Sequence, residues 1–360
     1  VNPLENYYKH LQLEYFRKNK YRVWIALAAL TILMIATFFT SINLGRAYIG
    51  PRDIAYVILG RLFAREDILS LLDETTSAII WDIRLPRILC AFFVGGGLAV
   101  SGTIFQSVLM NPMADSYTMG VSTGAAFGAS IAIYLNIMAM GFAIPITAAA
   151  FLGAVLTLCI VMTLSKVRGY LSPVNLILSG IIVSSILSAG VTLIKNAAGE
   201  NVGAIVGWMM GSLSSSSWSE VFLVLPVTAL GTLIPTYFAN SLNLLSLGDE
   251  EARFLGVDPE KSRRIFLTAA SMITAACVSV SGIIGFVGLI VPHMLRLVLG
   301  ADNRKLIPFS MLLGGELLLV ADTVARVLLR TEIPVGVITT MLGGPFFLFI
   351  FIRKNRRRYV

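Results

Sequence analysis

Charge is scarce in this chain: 13% of its 360 residues are Asp, Glu, Lys or Arg, where soluble domains carry roughly 25%. With 56% hydrophobic residues and a mean hydropathy of +0.82, the composition excludes a soluble globular protein. Only two histidines are present, His10 and His293, which excludes a histidine metal cluster. The three cysteines, Cys90, Cys159 and Cys277, sit in apolar runs without metal spacing or close pairing. They read as small buried residues. There is no GxxxxGK[ST] to cradle ATP phosphates, no nucleophile elbow and no HExxH. No catalytic chemistry is visible and no cofactor or metal is expected. Energy for any work has to come from a partner ATPase or an ion gradient.

What the chain has instead is long apolar runs, enough for about ten spans of roughly 20 residues. The reading is an all-α polytopic membrane protein, with residues 1–360 as a single transmembrane domain. Span starts are placed near Val23, Leu85, Tyr117, Phe142, Pro173, Trp218, Arg264, Gly285, Leu306 and Pro334. The first run, Val23 to Ile42, is too long for a signal-peptide core and is expected to remain as the first span. Ser172-Pro173 and Asp258-Pro259 look like N-cap and N1 pairs.

Orientation follows from charge. With an inside N-terminus, most of the 28 basic residues fall on the cytoplasmic side, among them Lys18, Lys20, Arg22, Arg263, Arg264 and Arg357. The positive-inside rule then puts both termini in the cytoplasm, and the net charge of +8 is a topology signal rather than a nucleic-acid signal. Residues 1–22 become a cytoplasmic tail and 240–263 a cytoplasmic loop. Residues 45–84 become an outer segment in which PRDIAYVILGRLF, opened by Pro51, suits a surface helix.

Between Asn111 and Gly128 the sequence NPMADSYTMGVSTGAAFG interrupts two apolar runs. Lipid cannot satisfy the backbone groups freed by Asn111, Pro112, Asp115 and Ser116, so protein or water must. Gly120, Gly124 and Gly128 then recur at the spacing that lets helices lie close. A weak echo links AVSGTIFQSVLMNP from Ala99 to SVSGIIGFVGLIVPH from Ser279. In this topology the two stretches run in opposite senses, as in an inverted repeat.

Three further features carry charge. Arg84 and Arg87 flank the outer end of the second span and Arg326 and Arg330 that of the ninth. They either snorkel to headgroups or form a basic rim for an acidic partner. Glu316 is a possible intramembrane polar site, while Asp322 lies one helical turn from Arg326 and suits an ion pair. Inside, SLNLLSLGDEEARFLGVDPEKSRR offers Ser246 and Asp249 as a capping box, acids in the first turn and Gly256 as a stop. This short helix either docks in a partner's groove or simply joins two spans. Ser214 to Ser217 and Ser219, around Trp218, belong to an outer loop or a cavity wall.

RLPR at Arg84, GxxLAVSGxxxQ ending at Gln106, NPMAD at Asn111 and GVSTGAA at Gly120 resemble the permease subunits of iron-chelate and cobalamin ABC importers. So do GDEEARFLGV at Gly248, GFVGLIVPHMLR at Gly285, ADTVAR at Ala321 and EIPVGVITTMLGGPFF at Glu332. The motifs run in one order from about Arg84 to Ile352. The resemblance implies a dimeric, ten-helix type II importer permease with an inverted repeat, in the bacterial cytoplasmic (inner) membrane. Two cytoplasmic ABC ATPase subunits, a substrate-binding protein outside and a second permease subunit, identical or related, are the implied partners. The cargo would be an iron–siderophore, haem or cobalamin-like chelate. By the same resemblance Gly248, Glu250, Ala252, Leu255 and Gly256 belong to the ATPase-coupling helix. Asn111 and Met113 belong to the cytoplasmic gate, and Arg84, Arg87 and Arg326 dock the binding protein. Pro173 and Val174 depart from the small hydroxyl residues of a second gate. Two alternatives stand beside this: a self-contained proton-coupled carrier working through Glu316, and a structural membrane scaffold.

Overall fold

A computed structural model describes residues 24–45, 49–65, 67, 70, 72–138, 143–167, 170–328 and 331–356. The basic tail, Arg330 and the last four residues lie outside these. The described chain is helical apart from one hairpin. Its helices are α1 (Trp24–Asn43), α2 (Pro51–Leu62), α3 (Glu74–Val108), α4 (Val121–Ile137), α5 (Ile146–Leu164) and α6 (Pro173–Met209). They continue as α7 (Trp218–Tyr237), α8 (Ala239–Leu245), α9 (Asp249–Phe254), α10 (Pro259–Ser281), α11 (Val287–Leu299), α12 (Asn303–Val327) and α13 (Val335–Arg356). Strands β1 (Lys166–Val167) and β2 (Tyr170–Leu171) pair antiparallel between α5 and α6. Seven described helices are long and apolar enough to cross a membrane; α4, α11 and α13 are shorter apolar helices. Together they account for the ten expected spans.

Helix α3 is the axis of the molecule, 83% buried along its most apolar window, against 11% for α1. Its glycines allow this. A Cβ on Gly96 would sit 2.6 Å from the Met311 carbonyl oxygen of α12, and one on Gly95 would collide with that of Gly314. Such backbone-to-backbone approach is how membrane helices gain dispersion energy when lipid competes for every apolar contact. The glycine spacing after the break works the same way: Gly124 and Gly128 press on Gly153 and Ala149 of α5.

Several boundaries differ from expectation, each for a local reason. The second span starts at Glu74, not near Leu85, because a π turn over Ile79–Arg84 carries the helix through Pro86. Proline crowds the carbonyl four residues back, here Asp82 inside that wider turn. Helix α4 starts at Val121 rather than Tyr117, since Asp115 and Thr118 hold the intervening chain in turns. Helix α10 extends the span placed near Arg264 back to the expected Asp258-Pro259 pair; Asp258 caps it by accepting from the Glu260 and Lys261 amides. The expected capping box at Ser246 does not form. Its hydroxyl donates to the Leu242 carbonyl, and Gly248 is the N-cap of α9. Cys159 is exposed on α5; Cys90 and Cys277 are buried. Helix α2 begins at Pro51 as expected and buries Ile54 and Val57.

Candidate transport pathway and docking sites

At one face of the bundle, called here the arginine face, α1 and α12 end and α3 begins. Arg84, Arg87 and Arg326 meet there, only 5%, 6% and 9% exposed. They do not snorkel. Arg84 donates to the Ile42 carbonyl at 2.6 Å. Arg87 pairs with Asp322 at 3.0 Å and with Glu332 at 3.0 Å. Arg326 lies 3.1 Å from Asp322, the expected turn-to-turn pair, and donates to the Ser41 hydroxyl at 2.6 Å. Buried guanidiniums need this density of partners to offset desolvation. All three arginines and Glu332 border a cavity of about 210 Å³.

A second cavity, about 500 Å³, lies where α6 and α10 end and α5, α7 and α13 begin. Ser212, Ser214, Ser215, Ser279 and Ser281 line it, with Trp208 and Glu220. The serines left open between loop and cavity wall are therefore partly wall. Glu220 is fixed by a capping box that sequence reading missed: its carboxylate accepts from the Ser217 amide at 2.9 Å, and Ser217 accepts from the Ser219 amide. The signal was present, since Ser217 and Glu220 stand at S-x-x-E spacing.

The polar break satisfies itself. Asn111 Oδ1 accepts from the Met113 amide at 2.9 Å, and Asp115 Oδ1 accepts from Tyr117 and Thr118 amides at 3.1 and 3.0 Å. Asn111 and Met113 thus sit in one Asx turn, with Met113 52% exposed. Between the break and α11 remains a void of about 10 Å³ bordered by Ser101, Asp115, Tyr117 and Phe286, at the limit for one water. Gln106 on α3 donates to the Gly288 carbonyl and accepts from Arg296, so α3 holds α11 at this level. Both helices that follow a break start from a left-handed residue, Gly120 before α4 and Phe286 before α11.

At the opposite face, α9 stands between two glycines with positive φ, Gly248 at 132° and Gly256 at 85°, where a side chain would be strained. Ala252 faces inward and is buried, Glu250 is exposed, and Phe254 and Leu255 are 89% and 60% exposed. Arg263 of α10, 1% exposed, clamps the unit. It donates to both Asp249 oxygens at 2.6 and 3.2 Å and to the Leu171 carbonyl at 2.7 Å. Arg253 adds a cation–π contact to Tyr170 of the hairpin. Glu316 lies within α12 against α1, accepting from the Thr37 hydroxyl at 2.6 Å. It borders neither the arginine cavity nor the serine cavity. Pro173 opens α6, and Val174 beside it is 71% exposed.

Comparison with known proteins agrees with this architecture. The family model of the FecCD transport family matches residues 32–353. The cobalamin import system permease protein BtuC of Halobacterium salinarum is 43% identical over 285 residues, 79% of this chain and 76% of that protein. The hemin transport system permease protein HmuU of Yersinia pestis is 41% identical over 293 residues, 78% of this chain and 85% of that one. A solved structure described as an inward-facing metal-chelate type ABC transporter matches with a TM-score of 0.78 at 33% identity. It covers 91% of this chain and 99% of that one. Ten apolar helices about a glycine-lined axis, matched nearly end to end, show that this chain belongs to the FecCD transport family, as an integral-membrane permease of an ABC importer.

Proposed function

We propose that the chain is the membrane path through which a partner ATPase drives uptake of a metal chelate, of the iron–siderophore, haem or cobalamin type. The observation that carries this reading is α9: a six-residue helix with an exposed Phe254–Leu255 tip, tied by Arg263 to both α10 and the hairpin before α6. An apolar knob on a rigid mount suits docking into a groove on another protein. Glu250, Leu255 and Gly256, with Gly248 as hinge, form the ATPase contact, while Ala252, expected in that contact, is buried and seats the helix on the bundle instead. That face is then cytoplasmic, with both termini on the same side, which the charge bias supports. The arginine face is outer. Its cavity, bordered by Arg84, Arg87 and Arg326, receives an acidic side chain of a chelate-loaded binding protein. Asn111 and Met113 form the cytoplasmic gate. ATP binding in the partner shifts α9, and Arg263 passes the shift to α10 and α6, changing which end of the path is open. The functional unit holds two permease chains, identical or related, each a single transmembrane domain, in a bacterial cytoplasmic membrane.

The test is ATP-dependent uptake of a radiolabelled ferric siderophore into vesicles holding the chain, its ATPase and its binding protein. Uptake should require ATP and be lost in Glu250→Lys. Uptake without ATP or ATPase, abolished by Glu316→Gln, would instead establish a proton-coupled carrier. The position of Glu316, against α1 and away from both cavities, favours the first outcome.

A further inference from the structure

The 500 Å³ cavity and the arginine cavity lie toward the same face but have opposite chemistry. The larger is walled by hydroxyls from two directions, Ser212 and Ser214 from the link before α7 and Ser279 and Ser281 from the end of α10. It has one charged side chain, Glu220, and no Lys or Arg among its described lining residues. Trp208 supplies an aromatic surface. The three arginines of the neighbouring cavity are held by Asp322, Glu332 and residues of α1. At about 500 Å³ the space falls within the range of small-molecule sites. It is also framed by the broken end of α6, where helix pauses at Gly199–Asn201 before resuming, and by Pro334, just ahead of α13. Irregular backbone at such a depth is tolerated where it lines a cavity.

The chemistry of the wall selects its occupant. Serine hydroxyls both donate and accept, so they match amide, hydroxamate and hydroxyl groups on a chelate's outer surface. A fixed carboxylate and an indole face attract an ammonium or a diffuse positive charge. A polyanionic chelate meets repulsion from Glu220 with no cation to offset it. We propose that this cavity is a cargo subsite for neutral or cationic chelates of the hydroxamate kind, and that Glu220 sets the discrimination against polyanionic chelates. The assignment rests on the importer reading above only for naming the occupant as cargo; the charge preference is a property of the cavity itself.

The experiment is equilibrium binding to the full chain in nanodiscs, read by tryptophan fluorescence, with Trp208→Phe identifying the cavity's own signal. Two probes bracket the charge range: ferrioxamine B, a cationic ferric tris-hydroxamate, and ferric enterobactin, a trianionic ferric tris-catecholate. Ferrioxamine B is expected to bind at least about tenfold more tightly, since one unit charge several ångströms away in a half-wet site is worth on the order of tenfold. Glu220→Gln, which keeps a capping-box side chain at that position, should reduce the preference about tenfold. Thr147→Lys combined with Glu220→Gln, which leaves a net positive charge in the same wall, should reverse it. Equal or tighter binding of ferric enterobactin, binding of neither probe, or a preference unmoved by both variants would overturn the proposal. The importer reading fails separately: ATP-independent uptake in the vesicle assay sinks it whatever the binding ratio. ATP-driven uptake that favours the anionic chelate leaves it standing and removes the cavity assignment alone.

Discussion

Replacing Arg263 by Met should separate ATP hydrolysis from transport. Met retains much of the aliphatic volume in a site that is 1% exposed, so packing is largely kept and polar contacts are removed. What is lost can be sized. The bond to the Leu171 carbonyl, at 2.7 Å and buried, is charge-assisted and worth about 1.5–3 kcal/mol. The two bonds to Asp249 join a side chain that is 43% exposed, so solvent screening limits that pair to about 1 kcal/mol. The total, roughly 3 kcal/mol, is of the size that couples distant sites in allosteric proteins, typically 1–3 kcal/mol. In the purified complex, Arg263→Met should keep ATPase turnover within about threefold while uptake per ATP falls by about tenfold or more. Asp249→Asn, which spares the Leu171 bond, should cost at most about fivefold. Thermal unfolding of the solubilised complex checks that the helix bundle survives. Parallel loss of ATPase and uptake, or an Asp249→Asn defect as large as that of Arg263→Met, would refute the relay.

Other consequences follow from packing and capping. Gly96→Leu forces a side chain into the Met311 backbone; the overpacking should cost at least about 2 kcal/mol and lower the melting temperature or prevent insertion. Ser217→Ala removes half of the capping box on α7 and should cost about 1 kcal/mol in the same melting assay. At Asp302, burial raises the carboxyl pKa, but bonds from Arg304 and Asn243, with the Arg304 charge, outweigh it and hold the value down at about 2. A depressed carboxylate contributes stability above its unfolded pKa of about 4 and loses it as pH falls through about 2. Because the Arg304 partner is exposed, solvent screening limits this term, and the acid limb of stability should flatten by at most about 1 kcal/mol in Asp302→Asn, seen in melts between pH 2 and 5.

Much of this was legible in residue order. Apolar length announced the spans, Asp258-Pro259 marked the start of α10, and Asp322 four residues before Arg326 foretold their pair. Position along the chain could not show that Arg87 joins that pair from 235 residues away. Nor could it show that arginines open to either snorkelling or a rim are buried together around one cavity. The π turn was hidden for a related reason: Pro86 looks like a helix start, and only the packing of Ile80 and Arg84 shows the helix passing through it. Arg263 counted only as one more basic residue of a cytoplasmic loop. Its burial depends on a hairpin carbonyl that no side-chain pattern reveals.

The distribution of packing then says where motion can occur. Helices α3, α10 and α12 are 67–83% buried along their apolar windows, and α3 and α12 touch backbone to backbone at their glycines. Interfaces packed at that density do not deform gradually; they hold or they jump. By contrast α1 and α6 are only 11% and 17% buried. Helix α6 is also interrupted by a 3-10 turn at Gly199–Asn201, a place where a helix can change direction at little cost. Its two ends meet the two elements assigned function here: the hairpin held by Arg263 and the wall of the serine cavity. A shift imposed at α9 therefore has a rigid lever on one side, the α3–α12 core, and a loosely held helix on the other. If α6 is the helix that moves, it carries Trp208 of the cavity wall with it. A spin label on α6 near Gly207 should change its distance to one on α12 when ATP binds, while a pair spanning α3 and α12 stays fixed. Movement of the α3–α12 pair instead would place the hinge in the core and remove α6 from the path.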